Sequence, residues 1–121
     1  MAYSEPLAER VRRFTAFEPH LLELSMFGGL AYTLHGNMAL GVLNDELIVR
    51  VPRGQTEMYL SRGGARAFDF TGRTMQGFVA VDPEATSGDE TLRDWVEIGL
   101  STAGSMPPKP EKPARARASR R

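Results

Sequence analysis

Residues 26–51, MFGGLAYTLHGNMALGVLNDELIVRV, constrain the fold more than any other part of the chain. Apolar side chains alternate along the stretch, and two clusters of turn residues interrupt it. Alternation with period two suits a half-buried strand, because successive side chains point to opposite faces. The stretch reads as three antiparallel strands, 29–34, 38–43 and 46–51. Asn44-Asp45 is a two-residue hairpin connection that pairs Leu43 with Glu46, Val42 with Leu47, Leu40 with Val49 and Met38 with Val51. His35-Gly36-Asn37 is read as a three-residue loop, which sets Leu34 opposite Met38, Tyr32 opposite Leu40 and Leu30 opposite Val42. A two-residue loop would turn the first strand's side chains to the other face.

In this register the opposite face carries Ala31, Thr33, Ala39, Gly41, Leu43, Ile48 and Arg50. A fully solvated sheet face would be polar, so this small, apolar face is expected to be covered, most simply by a second copy of the chain. Arg50 then has three readings: an anion ligand, a partner in an interface, or an ordinary surface arginine.

The flanks read as helices and two further strands. Ser4 can cap a first helix whose stripe is Leu7, Val11 and Phe14, with Arg10, Arg12 and Arg13 elsewhere on the wheel. Glu18-Pro19 ends it, and Leu21, Leu22 and Leu24 follow as a short strand or packed connection. Gly28-Gly29 reads as a turn or bulge feeding a strand rather than a phosphate cradle, because no GxGxxG or GK[ST] accompanies it. Residues 55–62 suit a short helix that Gly63-Gly64 stops. Residues 67–70 and 77–82 read as strands, with an exposed turn over 71–76. A last helix from about 90 to 103, capped by Ser87 or Asp89, carries Leu92, Trp95, Val96, Gly99 and Leu100 on one stripe. Trp95 is its anchor, since a tryptophan can bury roughly 200 Å². The pattern gives an α+β fold: two layers, an antiparallel five-stranded sheet with helices packed on it, in the order α-β-β-β-α-β-β-α.

The 121 residues make one domain, 1–105, with a Pro- and Arg-rich tail over 106–121 that is expected to be disordered. The formal charge of zero hides an asymmetry: the tail holds six basic groups and one acid, leaving nine basic and fourteen acidic groups on residues 1–105. An acidic body with a basic arm does not bind a phosphate backbone over its whole surface. There is no cysteine, and His20 and His35 lack metal-ligand spacing, so neither thiolate chemistry nor a zinc site is indicated. No GxSxG elbow and no facing pair of acids is present. The expectation is a chain that is not an enzyme, with no cofactor and no metal. No apolar run reaches the roughly 20 residues that cross a bilayer, and no secretory leader is evident, so a cytoplasmic protein with no membrane association is expected.

Met26-Phe27-Gly28-Gly29, Gly36-Asn37-Met38, Leu47-Ile48-Val49-Arg50-Val51, Phe70-Thr71-Gly72-Arg73-x-Met75-x-Gly77-Phe78-Val79, Trp95-Val96 and Met106-Pro107-Pro108-Lys109 together resemble the N-terminal domain of the TfoX/Sxy family. The resemblance spans residues 7 to about 109. It implies the two-layer fold already read from the alternation, and a small cytoplasmic bacterial protein related to regulators of natural competence that tends to dimerise. Such regulators have a second, C-terminal domain, and this chain is expected to be a stand-alone first domain. It departs from the family pattern at Ser25, where a basic residue is usual, and at Thr74 and Gln76 in the Arg-Pro-Met-Lys-Gly-Trp turn.

Three functional readings follow. One is a non-enzymatic regulatory or protein-interaction module, homodimeric, meeting an unknown protein partner through Arg50, Thr71, Gly72, Arg73 and Met75, with Met26, Phe27, Gly28, Gly29 and Trp95 as structural motif residues. The alternative is weak, non-specific nucleic-acid binding through the basic tail. The third is a small-molecule or anion site near Arg50 and Arg73.

Overall fold

The computed structural model describes residues 3–26, 28–70 and 72–109. The elements are α1 (Glu5–Phe14), β1 (Leu21–Met26), β2 (Gly29–Leu34), β3 (Asn37–Leu43), β4 (Glu46–Arg50), α2 (Thr56–Leu60), β5 (Ala65–Phe70), β6 (Arg73–Val81), a 3-10 turn (Pro83–Thr86) and α3 (Asp89–Gly104). The strands form one antiparallel sheet in the spatial order β1-β2-β3-β4-β6-β5. The α+β class with helices packed on an antiparallel sheet therefore holds. The sheet has six strands rather than five, and the order gains a strand after α1. The extra strand is LLELSM, whose leucines serve both faces. Leu21 packs against the main core, whereas Leu22 and Leu24 pair with Thr33 and Ala31 on the reverse face. Leu22, Leu24 and Met26 alternate with Glu23 and Ser25, and Leu21 beside Leu22 interrupts the pattern at its start, which left a short strand and a packed connection both open.

The β3–β4 register is Leu43↔Glu46, Val42↔Leu47 and Leu40↔Val49, as read from the Asn44-Asp45 turn. The β2–β3 turn differs from expectation. Leu34 pairs with Asn37, so the loop is two residues, His35 and Gly36, at φ 53° and 84°. Positive φ at both central positions is the geometry that matches the twist of a hairpin. The pairing then slips between Tyr32 and Thr33, and from Tyr32↔Leu40 onward it is the expected one. A shorter loop plus a one-residue bulge at Ala39 uses the same number of residues as a longer loop. The bulge changes which way two side chains face. Ala39 joins Leu40 in the main core, while Met38 packs with the reverse-face cluster. Sequence reasoning had these two exchanged. Further on, Phe70 pairs with Arg73, so β6 begins at Arg73 and most of the expected 71–76 turn is strand.

The main core contains Leu40, Val42, Leu47, Val49, Val79 and Val81 from the sheet. Against them lie Leu7, Ala8 and Val11 of α1 and Leu92, Trp95, Val96 and Leu100 of α3. Trp95 is 5% exposed and stacks near Tyr59 of α2 at 6.0 Å between ring centroids, with the Arg62 guanidinium over both rings. Gly99 brings α3 onto the bulge: a Cβ there would lie 2.5 Å from the Ala39 carbonyl oxygen and 2.6 Å from Leu40 Cδ2. The reverse face has its own cluster, Ile48, Phe68, Phe78 and Ala80, with Met38, Leu43 and Met75 packed over it. Every member of that cluster is a strand residue, so the helices lie on one side of the sheet.

Helix ends are tied by polar contacts. Ser4 Oγ accepts from the Leu7 N–H, capping α1. The N-cap of α3 is Gly88, not Ser87 or Asp89; Asp89 lies in the first turn and pairs with Arg10 at 3.0 Å. Arg12 donates from Nε and Nη2 to the two oxygens of Glu23, each at 2.9 Å, pinning edge strand β1 to α1. That hydrogen bond holds the Glu23 carboxyl below the usual carboxylate range.

Two outcomes are expected. Gly99→Ala should destabilise the protein by about 1–3 kcal/mol, because overpacking outweighs the gain in helix propensity. Gly104→Ala, whose Cβ would meet only Leu34 Cδ2 at 3.6 Å, should leave stability unchanged or raise it. Denaturant titration of both variants checks the opposite signs. For Glu23, a depressed folded-state pKa means stability present above the ordinary carboxylate pKa and lost as pH falls through the folded value. Glu23→Gln should therefore be less stable than the parent near neutrality, by under about 1 kcal/mol because the pair is partly exposed. The difference should narrow as pH falls below the ordinary glutamate value of about 4.3, as measured by urea unfolding across pH.

Candidate functional site

Several of the motif residues meet at one end of the sheet, where β4 stops and β6 bulges. Pairing of β5 with β6 runs from Ala67↔Val79 to Asp69↔Thr74, so residues 75–78 bow out opposite Phe68. The bow brings Gln76 and Gly77 beside Arg50 and places Phe78 across from it in the β4–β6 pairing. The C-terminus of α3 arrives at the same place and delivers the segment from Ser105 to Lys109.

That segment is strapped down by the β2–β3 turn. The Lys109 N–H donates to the His35 carbonyl at 2.9 Å. Asn37, 1% exposed, donates from Nδ2 to the Pro107 carbonyl at 3.0 Å. Gly36 packs so closely that a Cβ would collide with the Lys109 carbonyl. A glycine is needed here twice over, for its positive φ and for the approach of the strap. His20 stacks near His35 at 5.2 Å between ring centroids.

Arg50 closes the corner. Its guanidinium lies over the Phe78 ring at 4.7 Å, and Nη1 donates to Met106 Sδ at 2.7 Å. Its buried Nε has no hydrogen-bond partner. Among the described residues no carboxylate pairs with it, and burial alone pushes its pKa down. Arg10, Arg12 and Arg66 instead each meet an acid: Asp89, Glu23 and Glu46. A groove of about 700 Å³ opens beside Arg50, lined also by Arg53, Thr56, Glu57, Thr102 and Met106.

The other candidate residues are dispersed. Arg73 is exposed, does not line the groove, and makes no ion pair among the described residues. Gly72 has φ 79° with open space around it, and the neighbouring hairpin is held by Thr74 Oγ1 donating to Asp69 at 2.9 Å. Met75 packs on the reverse-face cluster. At the far end of the sheet Met26 pairs with Gly29, and Gly29 lies too close to the Val42 carbonyl for a Cβ; Gly28 has φ 79°. Trp95 sits in the main core. Thr71 and Phe27 lie outside the described residues, as do the five tail cations after Lys109. The structure thus groups Arg50 with the Gly77-Phe78 half of the second motif and separates it from Arg73. The roles of Asn37, Phe78 and Met106 were not read from sequence, though each stands within a quoted motif.

A family model described as the TfoX N-terminal domain matches residues 15–103. The chain belongs to the TfoX N-terminal domain family. The searches of curated proteins and of solved structures found no match. The TfoX match covers the sheet and α3 up to Ala103, so the strap lies outside the matched stretch. Among the described residues no helix is long and apolar enough to cross a membrane.

Gly36→Ala should release the strap and cost about 1–3 kcal/mol through the strained φ. Hydrogen exchange at the Lys109 amide should then approach the free-chain rate, while amides at Leu40 and Val49 stay protected.

Proposed function

We propose that this TfoX N-terminal domain is a non-catalytic interaction module that self-associates through the sheet face carrying no helix, and exerts a regulatory role as a protein-binding unit. The observation that carries the reading is the one-sided placement of the helices. Leu22 and Leu24 share the reverse face and are only half-buried, Met26 is 36% exposed, and Met38, Leu43 and Met75 continue the apolar strip. Ile48 beneath them is already fully covered, so a partner would add to a formed surface instead of completing a core.

A second copy is the occupant that the charges favour. The strip itself is uncharged, and Glu46 and Arg66 at its rim neutralise each other. An apolar patch can face its own copy about a two-fold axis without needing a complementary charge. With the basic tail offsetting the acidic body, the chain's net charge is zero, which lowers the long-range repulsion between copies. Two of the three basic residues of α1 are engaged, Arg10 with Asp89 and Arg12 with Glu23, which supports a protein partner over a phosphate backbone on that helix.

Sedimentation equilibrium from micromolar to near-millimolar protein tests this. The parent should be a dimer, and Leu24→Asp should shift it to monomer with an unchanged far-UV spectrum. Phe17→Asp, at an exposed residue outside the strands, should leave the mass unaltered. A monomeric parent at the highest concentration, or a dimer that survives Leu24→Asp, would overturn the proposal.

A further inference from the structure

We propose that the groove beside Arg50 binds a small organic carboxylate, a monoanion with an apolar body, and that the Arg50 guanidinium receives the carboxylate. This site is separate from the self-association surface, since its lining includes none of Leu22, Leu24 and Met26.

The first argument is the unspent donor capacity of a half-buried cation. Arginine carries five N–H donors in a rigid fork. Here one is spent, on a thioether, which is a weak acceptor. Nε is buried without a partner. A charge held away from water without a counter-charge is costly, whereas Arg10, Arg12 and Arg66 each meet an acid. The Phe78 face covers one side of the guanidinium, and the Nη donors left over can meet a carboxylate oxygen. The second argument is the space: about 700 Å³ adjoins that fork, within the range of small-molecule sites.

The lining then narrows the ligand. Arg50 and Arg53 against Glu57 leave one net positive charge. The hydroxyls of Thr102 and Ser105 are already donating, to the carbonyls of Ile98 and Thr102 at 2.7 and 2.8 Å. They offer only lone pairs to the groove, beside the negative end of the α3 dipole. A dianion such as phosphate would meet that acceptor-rich wall with twice the charge, while a carboxylate can place its single charge on Arg50. Thr56 and Gln76 supply uncharged donors, and Pro52, Met106 and Pro107 form an apolar wall for an aliphatic body.

Nuclear magnetic resonance titration of the full chain tests the assignment, with hexanoate, hexanol and inorganic phosphate as probes at constant ionic strength. Hexanoate should give saturable shifts at the Arg50 Nε–Hε signal and at the amides of Gly77 and Met106. Arg50→Gln should weaken hexanoate by about ten-fold or more, the effect of losing a charge-assisted hydrogen bond. Arg53→Gln, at an exposed residue, should weaken it less and keeps the test valid if Arg50→Gln does not fold. Absence of saturation, equal affinity for hexanol, tighter binding of phosphate, or hexanoate affinity unchanged in both variants would each overturn the assignment.

Discussion

The approach of Gly99 to the bulged backbone of β3 is the contact on which the working end of the molecule depends. Helix α3 sits closer to the sheet than a helix with any side chain at that position could. Its depth and direction decide where its C-terminus emerges, and there is little slack after it. Ser105 is followed at once by Met106, whose sulfur meets Arg50, then by Pro107 on Asn37 and Lys109 on His35. Lifting α3 by the radius of one methyl group would move all of these contacts together. A contact in the middle of the helix layer therefore positions groups at the end of the sheet.

The bulge itself was not legible in the sequence, for a reason of arithmetic. A three-residue loop and a two-residue loop with one bulged residue consume the same number of residues between Tyr32 and Leu40. Both restore the same pairing beyond that point. The alternation of Leu30, Tyr32, Leu40, Val42, Leu47 and Val49 records only the restored register, and that part was read correctly. The turn was decided by His35 and Gly36 both accepting positive φ, and α3 lies on the residue left over, Ala39. Similarly, the stretch around Leu21, Leu22 and Leu24 could be read as a short strand or as a packed connection, and six strands were counted as five. The reason is that Leu21 beside Leu22 interrupts the alternation of Leu22, Leu24 and Met26 with Glu23 and Ser25.

At the candidate site the limits were of another kind. Arg50 stood out because a long cation on a small, apolar face is out of place, and that incongruity survived into three dimensions as an unpaired guanidinium. Its neighbours could not be inferred. Phe78 reaches it through strand pairing across a crossover, and Met106 through the path of a helix. Arg73 looked equivalent in sequence because it shares a motif with Gly77 and Phe78. The bow in β6 places Arg73 at the hairpin end and Gln76 at the groove. Proximity along a motif was a poor guide once the strand carrying it was irregular.

The proposed groove and the self-association face are distinct, yet they share a strand interior. Phe78 supports the Arg50 guanidinium on one side and belongs, with Ile48, Phe68 and Ala80, to the cluster under the reverse face. That cluster is buried, and Met38, Leu43 and Met75, which form part of the apolar strip above it, pack against it. Close-packed interiors transmit small displacements instead of absorbing them. An anion that drew Arg50 away from Phe78 would thus change the support of the surface offered to a partner. By linkage, a partner that fixed the strip would alter the affinity of the groove by the same factor. The coupling requires no moving segment, only that one aromatic ring have two neighbours with competing demands on its position.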